Sequence, residues 1–214
     1  MPNEKFYTSM KKTVFDNIFL YDYKNVDLYN TLISKILGKE IQALSTACVG
    51  NSRSSYVRQN NVVCFETTEN EIVELIINPC DDINDGLSAI KHLWNGTPNT
   101  INKKYVRVNI IEGLLEDTNS FEKYTISANF DDERKEMTIY EYNIDKILNE
   151  VEKASDEYSY IAMLKSDKAN LEKICAGDKF MERYKEQVCA LNEDKDFVKK
   201  LKEEEKIVIN VSVE

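Results

Sequence analysis

The chain of 214 residues is poor in the residues that loosen or staple a fold: it holds six glycines, three prolines and a single histidine. So little glycine and proline excludes a linker-rich or low-complexity protein. One histidine and no C-x-x-C pair leave a structural zinc site without its usual ligand spacing. The five cysteines, Cys48, Cys64, Cys80, Cys175 and Cys189, are odd in number and widely spaced, which argues against a disulfide framework. Cys64, Cys175 and Cys189 lie in apolar patterns and read as reduced core thiols. No apolar run of about 18 residues is present to span a bilayer, and the opening MPNEKFYTSMKK lacks the apolar centre of a signal peptide. These absences predict an intracellular, cytoplasmic protein with no membrane partner. Glycine-rich phosphate loops are missing too, which excludes nucleotide hydrolysis of the P-loop kind. His92, near Trp94, has no accompanying nucleophile motif and reads as a packing or surface residue.

What the chain does have is charge, 31% of residues, with a formal net charge of −10. An acidic balance disfavours duplex nucleic acid, whose phosphates are gripped by clustered lysine and arginine. The pairs Lys11-Lys12, Lys103-Lys104 and Lys199-Lys200 are ordinary solvated surface. A partner is therefore expected to be a protein rather than a nucleic acid. Twelve tyrosines include the group Tyr21, Tyr23 and Tyr29, for which core and rim packing is the default reading.

Helical spacing of Val14, Phe15, Ile18 and Phe19 predicts a helix near 12–21. A second stripe from Tyr29 through Leu32, Ile33, Ile36 and Leu37, stopped by Gly38, predicts a helix over 26–37. Residues 45–55 are small and polar and read as a loop. The next block, 56–78, reads as a hairpin with its turn at Thr68-Glu69-Asn70. In its second strand Ile72, Glu74, Ile76 and Asn78 share one face, and Val73, Leu75 and Ile77 the other. Both faces are largely apolar, as in a strand buried on two sides. Asp81 and Asp82 cap a helix expected over 83–94. Strands are expected at 105–111, 124–130 and 137–142, with a turn at 131–134. From Ile144 onward the pattern is helical, with stripes at Leu171/Ile174/Cys175, Met181/Tyr184/Val188 and Phe197/Val198/Leu201. The tail IVINVSVE, 207–214, is β-branched and alternating, and reads as an edge strand or a frayed terminus. The fold class is thus α/β, divided into a core over 1–150 and a helical C-terminal region over 151–214.

Three blocks carry a family resemblance. TVFDNIFLYDYKNVDLYNTLISKILGKEI at the start, YVRVNIIEG at 105–113 and YSYIAMLKSDKANLEKICAGDKFMERYKEQVCALNEDKDFVKKLKEEEK at 158–206 resemble the PD-(D/E)XK nuclease family transposases, the recombination-promoting nuclease family. The resemblance implies a restriction-endonuclease-like core, a mixed sheet flanked by helices. It also implies DNA as substrate and Mg²⁺-dependent cleavage in DNA recombination, with two or three carboxylates holding the ion. Laid on this chain, the family's acidic slots fall at Lys12, at Val63 (or at Asn61 if the register slips by two) and at Ile76, with Asn78 in the amide position. A two-residue slip in the second strand puts Glu74 in the acid slot instead and Ile76 in place of the amide. Aliphatic side chains cannot ligate a cation. The expectation is therefore a degenerate nuclease fold that acts by binding and needs no cofactor, an acidic regulator or inhibitor of a nucleic-acid-processing system. The alternative is an active Mg²⁺-dependent endonuclease that uses Glu74 with Glu66, or with Asp81 and Asp82, as replacement ligands. Glu66 and Glu74 are expected to be near neighbours across the hairpin.

Overall fold

The computed structural model describes residues 5–19, 26–41, 43–45, 61–67, 71–77, 104–113, 118–130 and 133–211. Two helices come first, α1 (Lys12–Phe19) and α2 (Val26–Leu37), followed by strands β1 (Ala43–Ser45), β2 (Asn61–Thr67) and β3 (Glu71–Ile77). After the connection come β4 (Lys104–Ile111), β5 (Phe121–Phe130) and β6 (Glu133–Asn143). Five helices close the chain: α3 (Ile144–Glu150), α4 (Ser159–Ala162), α5 (Lys168–Ile174), α6 (Lys179–Glu193) and α7 (Lys195–Val211). The six strands form one mixed sheet in the order β1-β2-β3-β4-β6-β5. β2 and β3 are antiparallel, β3, β4 and β6 are parallel to one another, and β5 returns antiparallel on β6. The class is α/β, as the sequence predicts.

The chain forms two compact units: residues 30–150 make one, and residues 1–29 join 151–214 in the other. A single cut at 150 thus differs from the observed grouping at the front of the chain. The reason lies in α1, whose Phe19 stacks on Tyr184 of α6 at 5.8 Å between ring centroids. The fully buried Tyr184 hydroxyl also donates to Ser9 Oγ at 2.7 Å. Local periodicity finds α1 but is silent about a partner so far along the chain.

In the sheet unit, β3 is buried along its whole length except at Glu74. Val73, Leu75, Val108 and Ile110 are fully covered, each worth about 1.5–3 kcal/mol of transfer free energy. Burial on both faces explains why EIVELII and KYVRVNII read as nearly continuous apolar runs. Helix α2 is fixed at its end by the Tyr142 hydroxyl, which donates to the Ile36 carbonyl at 3.2 Å. Helix α3 packs against β4 and β6.

The observed elements correct several expectations. Ser45, expected in a loop, ends β1; the first hairpin strand is described over Asn61–Thr67, and residues 56–60 of the expected hairpin lie outside the described residues. Glu133 and Arg134, expected in a turn, belong to β6, which pairs from Glu133 opposite Phe130. Residues 207–211 of the tail continue α7 rather than forming a strand. Adding one residue to a helix already nucleated forms a hydrogen bond for each residue fixed, and this outweighs the weak β preference of IVINV. The helix expected over 83–94, with His92, lies outside the described residues, as do the turn at 68–70, Tyr21 and Tyr23.

In the helical unit, Leu171, Ile174, Cys175, Met181, Tyr184, Val188 and Leu201 are buried as their spacing predicts, whereas Phe197 and Val198 are half-buried. Asp167 and Asp178 cap α5 and α6 by accepting the Asn170 and Met181 N–H groups. Burial pushes the Cys175 thiol up to about 12, whereas Cys189 is only half-buried and raised less far. Since the thiolate is the reactive form, Cys175 is expected to resist iodoacetamide at pH 8 in the folded chain and to react promptly in 6 M guanidinium. Peptide-resolved mass spectrometry gives the rates, with Cys189 labelled first.

Candidate functional site

Strand register aligns one row of residues across the sheet, with two opposite charges side by side at its centre. Glu74 of β3 lies opposite Arg107 of β4, which lies opposite Ile139 of β6, and Ile139 opposite Tyr124 of β5. Arg107 is 4% exposed as a side chain and Glu74 14%. The guanidinium donates from Nε at 2.9 Å and from Nη2 at 2.6 Å, both to Oε2 of Glu74. A buried guanidinium beside a part-buried carboxylate is tolerable because each is the other's partner, and charge-assisted bonds of this kind are the stronger ones.

The same face of β4 carries two more buried polar side chains, Tyr105 and Asn109, at alternate positions either side of Arg107. Among the described residues, the Tyr105 hydroxyl and Asn109 Oδ1 have no hydrogen-bond partner. Each such buried atom costs about 1–3 kcal/mol. At the sheet edge the Tyr124 hydroxyl donates to Glu141 Oε2 at 3.2 Å. Burial and the nearby Glu141 carboxylate push that phenol up to about 12, so it stays a neutral donor at physiological pH. Among the described residues, Tyr124 is the large hydrophobic side chain left exposed, at 40%.

The sequence-derived positions are scattered relative to this row. Lys12 belongs to the helical unit, where its ammonium pairs with the buried Asp16 one turn on in α1. Val63 lies in β2 opposite Leu75, and Ile76 is buried in β3 opposite Val62. Glu66 does not face Glu74: it pairs in register with Ile72, and Glu74 with Cys64. The two acids sit diagonally, two positions apart on facing strands, because the antiparallel register centres the hairpin on the turn and not on the acids. Asn78, Asp81 and Asp82 lie outside the described residues. Among the described residues no group of three or more His, Cys, Asp or Glu side chains is placed to hold a metal.

Among the described residues, the expected ligands do not assemble a Mg²⁺ site. The cation needs several oxygen ligands at close range; Ile76 offers none, and the Glu74 carboxylate is held by a guanidinium whose charge repels a second cation. Arg107 was missed from sequence. Its signal was present: β3 and β4 each carry one charge in mid-strand, and both charges are fourth in their strands.

Taken together, the elements define an α/β protein with a mixed six-stranded sheet and a separate helical unit, in which a neutralised ion pair occupies the sheet centre. No protein-family model, curated protein or solved structure matches the chain. Among the described residues no helix is long and apolar enough to cross a membrane.

Proposed function

We propose that this chain is a catalytically degenerate member of the PD-(D/E)XK transposase-like family, a restriction-endonuclease-like scaffold that works by binding a protein partner. The observation that carries the reading is the Arg107–Glu74 fork. Of the acids near the family's catalytic strand, Glu74 is the one that a shifted register brings into the carboxylate slot, and its charge is already taken up. Burial of Ile76 in the other register supports the same reading. The net charge of −10 favours a protein partner over DNA, and clustered carboxylates that imitate phosphates would suit an inhibitor or regulator of a nucleic-acid-processing enzyme.

The test is a nicking assay on supercoiled plasmid with Mg²⁺ or Mn²⁺, run on the wild-type chain and on Glu74→Ala. The expected result is no metal-dependent nicking above the no-protein control for either protein. Nicking by wild type that Glu74→Ala abolishes would overturn the reading in favour of a Mg²⁺-dependent endonuclease.

A further inference from the structure

In the helical unit, residues Lys5–Met10 run without helix or strand hydrogen bonding across α6 and α7, and the manner of their attachment is informative. Asn192 of α6 accepts the Tyr7 N–H on Oδ1 at 2.7 Å and donates from Nδ2 to the Tyr7 carbonyl at 2.9 Å. Its second amide hydrogen goes to the Val188 carbonyl one turn back, at 2.8 Å. That third bond fixes the side chain's rotation, so the amide is oriented before any segment meets it. A side-chain amide that holds both main-chain groups of one residue reproduces the pairing a neighbouring strand would give, and it makes no demand on that residue's identity.

Identity is read on either side. Tyr7 is 3% exposed, with the Lys5 and Lys11 ammonium groups 5.2 and 5.3 Å from its ring centroid. Two residues earlier Lys5 Nζ meets Glu205 of α7 at 2.6 Å. Two residues later Ser9 is fully buried on the Tyr184 hydroxyl. Every second position thus has a recipient: a carboxylate, a ring site with a backbone clamp, and a buried hydroxyl.

We propose that the α6–α7 face is a peptide-docking groove that this chain fills with its own Lys5–Met10 segment. The partner it fits is an extended peptide of another protein, with a cation two residues before an aromatic residue and a small hydroxyl residue two after it. At one end Glu205, which also meets Lys11 at 3.6 Å and accepts from the Tyr7 hydroxyl at 3.4 Å, favours a cation, and at the other the Ser9–Tyr184 bond sets the size allowed. The covalently attached segment competes at an effective concentration on the order of millimolar, so an outside peptide enters once that segment is weakened or displaced. This groove belongs to the helical unit alone and goes beyond the reading of the sheet; metal-dependent nicking would overturn that reading and leave the groove standing.

The test keeps the full chain and weakens its own segment with Tyr7→Ala. The probe is a fluorescein-labelled peptide copying residues 3–12, NEKFYTSMKK, titrated by fluorescence anisotropy. The Tyr7→Ala chain is expected to bind this peptide at least tenfold more tightly than the wild-type chain does. Adding Asn192→Leu should weaken binding at least tenfold, as should the Tyr→Ala change in the peptide. Equal binding by wild type and Tyr7→Ala, or indifference to Asn192→Leu, would overturn the proposal. Should Tyr7→Ala lose its cooperative thermal transition, restoration of that transition by the peptide supports the groove, and failure to restore it counts against it. A concentration-dependent wild-type dimer in sedimentation, dispersed by Asn192→Leu, would assign the groove to a second copy of this chain and overturn the foreign-peptide assignment.

Discussion

Replacing Arg107 with methionine is expected to lower stability by about 3–5 kcal/mol, because it strands the Glu74 carboxylate in the sheet interior without its partner. For a chain of this size that corresponds to a fall in Tm on the order of 10 °C. The double variant Glu74→Met/Arg107→Met is expected to recover most of the loss and to lie within about 2 kcal/mol of wild type, since apolar replacement of a whole buried pair is often neutral. Urea denaturation of the wild type, the single variant and the double variant, followed by far-UV circular dichroism, measures both quantities. A single variant as stable as wild type would mean that Glu74 finds solvent or another cation, and it would remove the fork from the argument for function.

Ile76→Asp should be as severe, and it addresses function more directly. Ile76 is 1% exposed, opposite Val62 on one side and Asn109 on the other. A carboxylate there loses an apolar side chain's burial and gains a desolvation penalty, together at least about 3 kcal/mol. If this strand frame were a metal site lacking only its acid, the substitution would rebuild it, and Mg²⁺ would stabilise the variant in proportion to its occupancy. The expected result is a strongly destabilised variant whose Tm moves by less than about 1 °C with 10 mM Mg²⁺. A larger metal-dependent rise, absent from wild type, would show that the frame still knows where the ion belongs.

Local elements were legible because their signals are local. The α2 boundaries follow from its apolar stripe and Gly38, and the ends of β3 and β4 lie within a residue or two of their apolar runs. Cys175, Met181, Tyr184 and Val188 declared their burial by helical spacing alone. What the sequence hid is pairing across distance. Glu74 and Arg107 are 33 residues apart, and only a parallel register turns two single charges into a pair. Tyr7 and Asn192 are 185 residues apart, and nothing in the pattern around either names the other. The tail misled for the opposite reason, since its β-branched alternation is a genuine local preference that an established helix overrides.

The division of the chain has a consequence for how it is made. Residues 30–150 form a contiguous unit placed inside a discontinuous one. On the ribosome the sheet can assemble as soon as its own strands emerge. The Lys5–Met10 segment and α1 must wait until α6 and α7 have been synthesised. At about 5–20 residues per second that delay is roughly ten to forty seconds. Throughout it Phe19, buried in the finished protein, lacks the Tyr184 ring on which it stacks. The nascent chain therefore presents an apolar helix and an unoccupied segment before it presents a groove, the order in which a chaperone or a cotranslational partner would meet them.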